Sequence, residues 1–213
     1  MNRLSLSRRG LVLGGSITAF GLSGVAAAAS VLTPRQSLGP YYPDRLPDDQ
    51  DNDLVRVRGE TARAMGQIAH VRGRLVLPDG SPVRDARIEI WQCDARGRYI
   101  HSADARRGPS DAGFQGYGQV QTTADGGYGF RTIRPVAYPG RAPHIHFKIT
   151  GPGIRPLVTQ MYVRDAPENR RDSLLNRIRD RAQRDSLLVA FEPAPAIEEG
   201  ALAGQFDIVV APA

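Results

Sequence analysis

The chain has 213 residues, with 28 basic and 22 acidic side chains, a formal net charge of +6, and one cysteine. A lone cysteine excludes an intrachain disulfide, so the fold must rest on its apolar core. The charges are spread along the chain rather than clustered, which argues against a nucleic-acid groove and at most favours small anionic substrates.

Residues 1–29 read as an export signal. The arginine pair Arg8-Arg9 precedes an uncharged stretch over 10–29 rich in Ala, Gly and Leu, with small residues at 26–30 for cleavage. This layout predicts a twin-arginine address and a periplasmic or extracellular destination, with no stable membrane partner once the signal is removed. A plain secretory signal and an uncleaved anchor are the alternatives, since the apolar stretch is about long enough to span a bilayer. Removal deletes Arg3, Arg8 and Arg9 and no acid, lowering the net charge from +6 to +3.

A Pro- and Asp-rich lead follows over 30–66, and a single domain is expected over 67–213. Ala86, Ile88 and Ile90 alternate with Arg87 and Glu89, the period of a half-buried strand. Further strands are predicted over 70–77, 117–123, 128–133, 144–150, 157–163, 187–191 and 206–210, separated by turns such as Asp125-Gly126-Gly127. One helix is expected over 168–184, with Leu174, Leu175 and Ile178 on one side. The sum is a mainly β chain, a β-sandwich of antiparallel or mixed strands with one helix and long loops. Cys93 lies in an apolar strand and reads as a small packing residue rather than a reactive thiol.

Two of the four histidines, His144 and His146, stand two residues apart in a predicted strand. Side chains at i and i+2 share a strand face, so both rings can reach one ion. Such a pair occurs in zinc, copper and iron sites alike. A cupin is disfavoured, because Lys148, Ile149, Thr150 and Gly151 stand where its carboxylate would follow. His70 and His101 lack a motif and are assigned no metal role.

Several segments carry a resemblance. The run 88–99 ends a strand in a Gly-containing turn with Tyr99 just beyond; 125–133, then 133–139 ending in Tyr138-Pro139, 141–149 and 157–162 follow in order. Over residues 39–162 these segments resemble the intradiol ring-cleavage dioxygenases, specifically the catalytic core of the protocatechuate 3,4-dioxygenase type. The resemblance implies a non-haem Fe(III) ion held by Tyr99, Tyr138, His144 and His146. Phenolates are hard anionic donors suited to a trication, whose charge lowers the proton affinity of a tyrosine far below its free value near 10. It also implies Arg141 and Gln160 as groups that stabilise the ketonised substrate and the oxygenated intermediate, a permanent guanidinium beside the reacting oxygen favouring electron density there. Gly39-Pro40-Tyr41-Tyr42 resembles an N-terminal element that approaches the active site, making Tyr41 a substrate contact with Tyr42 as its equal alternative.

The function so implied is cleavage of a catechol, protocatechuate-like, between its two hydroxyl-bearing carbons by O2 to a muconate-type dicarboxylic acid, with Tyr138 as the phenolate that leaves and acts as a base. Catechol 1,2-type enzymes carry an N-terminal helical region for which too little sequence stands before the first strand. Only five residues separate Tyr138 from His144, and Gly140 replaces a Trp of the cytosolic enzymes. The shorter loop predicts a more open site, taking a bulkier catechol or completed by a neighbouring chain in a homo-oligomer. The competing classes are a secreted β-sandwich module that binds an aromatic or carbohydrate ligand without catalysis, and a zinc hydrolase using the same histidines.

Overall fold

A computed structural model describes residues 31–104 and 108–213. The export signal expected over 1–29 lies outside the described residues. Among them no helix is long and apolar enough to cross a membrane.

Two five-stranded sheets face each other. The first is built on β1 (Ile68–Val76), which pairs antiparallel with β4 (Gly127–Ile133) on one side. On its other side β1 takes two parallel partners, β9 (Leu202–Gln205) and then β10 (Ile208–Val209), and β8 (Glu192–Pro193) extends the sheet beyond β9. The second sheet runs β3 (Tyr117–Gln121), β2 (Arg87–Trp91), β5 (His144–Thr150), β6 (Leu157–Val163), β7 (Leu188–Val189), antiparallel except for the last pair. The expected mainly β, mixed-strand sandwich is therefore the observed architecture.

Alternation explains which face meets which. Val71, Leu75 and Phe130 from the first sheet, and Ile88, Ile90, Ile145, Phe147, Ile149 and Met161 from the second, are all buried in one core. Phe147 locks the sheets together, edge-on to Tyr128 at 6.2 Å and to Phe206 at 5.0 Å between ring centroids. Burying each such side chain is worth about 1.5–3 kcal/mol. Gly73 is required here, because a Cβ would stand 1.9 Å from the Phe206 carbonyl oxygen.

The opposite face of the second sheet is also covered. Residues 36–42 run over it: Gln36 Nε2 donates to the Tyr162 hydroxyl at 3.1 Å, Gly39 passes His146, and Tyr42 packs edge-on to Trp91, while further on Leu54 and Val55 enter the core fully buried. Glu89 is thus 3% exposed rather than facing solvent. It is satisfied by Lys148 Nζ at 2.8 Å, Arg87 Nη2 at 2.9 Å, and the Tyr117 hydroxyl, which donates at 3.1 Å.

The helix expected over 168–184 is divided into a 3-10 turn (Pro167–Arg170), α1 (Ser173–Asn176) and α2 (Arg181–Ser186). Asp172 and Asp180 adopt extended backbone and cap the two helices through their side chains, so each interrupts the segment before it. Strands β8 and β9 were not anticipated. Their sequences are two residues containing Pro193 and the unpatterned Leu-Ala-Gly-Gln, neither of which carries a period-two signal.

Candidate metal centre

On β5 the inward residues Ile145, Phe147 and Ile149 leave His144, His146 and Lys148 on the covered outer face. Strand register extends that face sideways. Trp91 of β2 and Gln160 of β6 flank His146, and Tyr162 lies opposite His144. The His146 ring stacks on Trp91, with 4.7 Å between centroids and an interplanar angle of 8°.

Two loops bring the tyrosines to this row. After β2, the buried Asp94 carboxylate accepts from Arg96 N at 2.9 Å and Arg98 N at 3.0 Å, closing the turn that delivers Tyr99, whose own N–H donates to Asp104 at 2.8 Å. After β4, Tyr138-Pro139-Gly140-Arg141 forms a tight turn in which Arg141 N donates to Tyr138 O at 2.9 Å. Pro139 is pre-set for its first corner and Gly140, at φ +80°, supplies the left-handed second. The five-residue spacing between Tyr138 and His144 is this turn plus the approach to β5.

The four predicted side chains converge. His144 Nε2 lies 3.2 Å from His146 Nε2 and 3.4 Å from the Tyr99 hydroxyl. Tyr138 packs edge-on against Tyr99 at 5.7 Å and tilted by 52° against the His144 ring at 5.5 Å, and it shares a hydrogen bond with Tyr99. Tyr99, His144 and His146 are at most 2% exposed. His101 instead accepts from Ala103 N and meets the edge of Tyr41, and His70 pairs with Glu198 at 3.0 Å on the far sheet, so neither belongs to the group.

Burial and neighbouring positive charge push the His144 imidazole down to about 3 and hold His146 well below its usual range, so both rings are neutral at pH 7. Burial also holds the Tyr99 phenol well above its usual range and raises that of Tyr138, where the Arg141 charge works against the rise. The donor set is therefore neutral until a cation draws the phenolic protons off.

The polar pairing of the site fits a cation. His144 Nδ1 donates to the Ala142 carbonyl at 2.6 Å, which leaves the Nε2 lone pair directed at His146. His146 Nδ1 is buried with no hydrogen-bond partner. If Nδ1 carries the proton, that proton is unsatisfied and two Nε2 lone pairs oppose each other; if Nε2 carries it, the Nδ1 lone pair is orphaned. An ion among the Nε2 atoms and phenol oxygens would remove the opposed lone pairs. Among the described residues no cluster of three or more His, Cys, Asp or Glu exists, so a metal here depends on the phenols.

Arg141 and Gln160 also join the group. The Arg141 guanidinium donates through Nη2 to Gln160 Oε1 and, at 3.2 Å, to the Tyr162 hydroxyl, and through Nε to Asp172 at 2.9 Å. Gln160 Nε2 donates to the Ser37 carbonyl at 3.4 Å. Tyr41 rather than Tyr42 faces the centre. Its ring stacks on Tyr99 at 4.8 Å, whereas Tyr42 turns edge-on to Trp91 and bonds Glu89 and Lys148.

Residues 38–212 match the family model Dioxygenase_C, described as a dioxygenase. The protocatechuate 3,4-dioxygenase beta chain of Burkholderia cepacia is 37% identical over 185 residues, covering 83% of this chain and 78% of that one. The chain belongs to the intradiol ring-cleaving dioxygenase family. A hydroxyquinol 1,2-dioxygenase of Corynebacterium glutamicum is 33% identical over 205 residues, covering 82% of this chain and 62% of that protein's length. Among solved structures, the dioxygenase domain of a dioxygenase carbohydrate-binding protein fusion from Streptomyces sp. SirexAA-E is 30% identical, with a TM-score of 0.63 over 86% of this chain and all of that one.

Within this dioxygenase four contributors escaped sequence reasoning. Trp91 backs His146, Asp94 shapes the turn before Tyr99, and Asp172 holds Arg141 from 31 residues away. Gly39, at φ +75°, passes so close to the centre that a Cβ there would lie 3.2 Å from His146 Cε1. Only Gly39 left a signal, as the first residue of the Gly-Pro-aromatic element.

Proposed function

We propose that this dioxygenase is a non-haem Fe(III) enzyme that cleaves a catecholic, protocatechuate-like ring between its two hydroxyl-bearing carbons, both atoms of O2 entering a muconate-type diacid. Tyr99, Tyr138, His144 and His146 would hold the ion. One observation carries the reading: two phenols and two neutral imidazoles meet in a buried space that sets the two Nε2 atoms 3.2 Å apart, beside the Tyr99 hydroxyl. Held there, a ferric ion would supply the positive charge needed to ionise both phenols and the catechol and to draw electron density from the ring.

The remaining work falls to the chain. Tyr138 is the more exposed phenol and adjoins the Arg141 charge, so its oxygen is suited to accept a catechol proton. Arg141 is fixed by Asp172, Gln160 and Tyr162 before any substrate arrives, so its charge needs no reorganisation as negative charge grows on the substrate oxygen. Tyr41 covers Tyr99 and limits water at the centre. We place the mature enzyme outside the cytoplasm, with a homo-oligomer as its assembly.

The test is the visible absorption spectrum of the iron-loaded protein before and after anaerobic addition of protocatechuate or catechol. A broad tyrosinate-to-iron band that shifts on addition is the expected result. A colourless protein with stoichiometric zinc, or no metal, would overturn the proposal in favour of the non-catalytic binding module.

A further inference from the structure

Beside the metal centre lies a cavity of about 420 Å³. Its lining includes Tyr41, Trp91, Tyr99 and Tyr117, and two of these already touch the centre: Tyr41 stacks on Tyr99, and Trp91 backs His146. Its outer wall includes Leu46 and Ile100, large apolar side chains 39% and 46% exposed. A second cavity of about 400 Å³ adjoins it, sharing Pro47, Asp48, Ile100 and Gln115 as a common wall. Together they make a groove that starts at the candidate ligand Tyr99 and runs outward past Ile100.

A single catechol ring seated at the centre would leave this groove unfilled. The part-exposed Tyr41 at its inner end, set against the buried Tyr99, Trp91 and Tyr117, and aliphatic side chains at its rim offer contact and burial to a flat apolar group. The described charged groups lining the two cavities are Asp44, Asp48, Asp49 and Asp111 against Arg45 and Arg58, a balance that disfavours a carboxylate. Asp44 is further engaged by Ser102 Oγ, and that bond holds its carboxyl below the usual range.

We infer that the groove is a substrate subsite, and that the enzyme takes catechols bearing a second, uncharged aromatic ring, which lies along the groove while the catechol ring occupies the centre. This rests on the proposed catechol cleavage and names its substrate class. The second ring is a bystander: the bond broken is still the one between the hydroxyl-bearing carbons, O2 supplies both added oxygens, and the product is a muconic acid carrying an aryl substituent.

The full iron-loaded chain is tested with catechol and 4-phenylcatechol. Trp91 is the sole tryptophan and lines the groove, so anaerobic quenching of its fluorescence gives a dissociation constant without turnover. Burying the second ring should tighten binding about tenfold or more relative to catechol. The variants Leu46→Lys and Val57→Lys set a charged chain into the apolar walls of the two cavities, away from the candidate metal ligands, and leave Trp91 the sole tryptophan. Each should abolish that preference and lower kcat/KM for 4-phenylcatechol about tenfold while leaving catechol within about twofold. Equal affinities for the two catechols in the unaltered chain, or equal losses for both substrates in the two variants, would overturn the subsite. Tight, variant-sensitive binding of 4-phenylcatechol with no cleavage of either compound would retain the subsite and overturn the dioxygenase reading instead.

Discussion

Replacing Asp172 with Ala tests whether one buried carboxylate ties the helical segment to the candidate metal centre. Its side chain is fully buried; one oxygen accepts from Leu174 N and Leu175 N at 3.0 Å, the other from Arg141 Nε and Ala142 N at 2.9 Å. Loss of the helix cap alone costs about 0.5–2 kcal/mol. Removing one partner of a buried ion pair costs about 3–5 kcal/mol, and the low end applies because Arg141 is 13% exposed on its side chain and keeps Gln160 and Tyr162. The terms share one group and do not add, so the expected loss at pH 7 is about 3–4 kcal/mol.

The assay is urea unfolding at constant m value. Burial alone would raise the Asp172 carboxyl, but hydrogen bonds from Leu175 N and Ala142 N and the Arg141 charge outweigh it and hold the group below 3.8. A depressed carboxyl stabilises the fold above its unfolded value and loses that contribution as pH falls through the folded one. The gap between the parent and Asp172→Ala should therefore shrink below pH 3.8. A loss under about 1 kcal/mol at pH 7 would refute the linkage between Asp172 and Arg141 argued from the contacts.

Three other outcomes are expected. Tyr99→Phe removes a phenol oxygen and should lower bound iron and turnover together, read by metal analysis and oxygen uptake; retained iron with an unchanged visible band would remove Tyr99 from the ligand set. Gly39→Ala places a Cβ against His146 at a positive φ and should cost about 1–3 kcal/mol in thermal or urea unfolding, with weaker iron retention; an unchanged protein would show that the loop yields freely. Glu198, bound by Arg131 at 2.7 Å and by His70, is drawn down to about 2, chiefly by the Arg131 hydrogen bond. Its depressed carboxyl contributes stability above 4.5 that disappears as pH falls toward 2, so Glu198→Gln should flatten the acid limb of a stability-pH curve between those values. An identical curve would place the pair among surface bridges of no consequence.

The strands of both sheets were legible wherever a run of five or more residues alternated, since period two reports that a strand has two unlike faces. It does not report what covers the second face. Glu89 carried the pattern of a solvent-facing position, yet it is buried because Tyr42 lies over it and Arg87, Lys148 and Tyr117 satisfy its charge there. The helix over 168–184 failed for a related reason: Asp172 and Asp180 are weak helix breakers locally and become caps once their side chains turn back on the backbone.

For the site, the His144 and His146 spacing on one strand face, with Tyr99, Tyr138, Arg141 and Gln160 in family order, was readable from the chain. That spacing is a local property, set by backbone geometry over two to five residues. Tertiary structure alone decided that Tyr41 rather than Tyr42 faces the centre, that Asp172 fixes Arg141, that Trp91 backs His146, and that a groove leads away from Tyr99. These depend on strand register and on contacts between segments far apart in sequence, as between Tyr41 and Tyr99, where packing, not periodicity, chooses the neighbour.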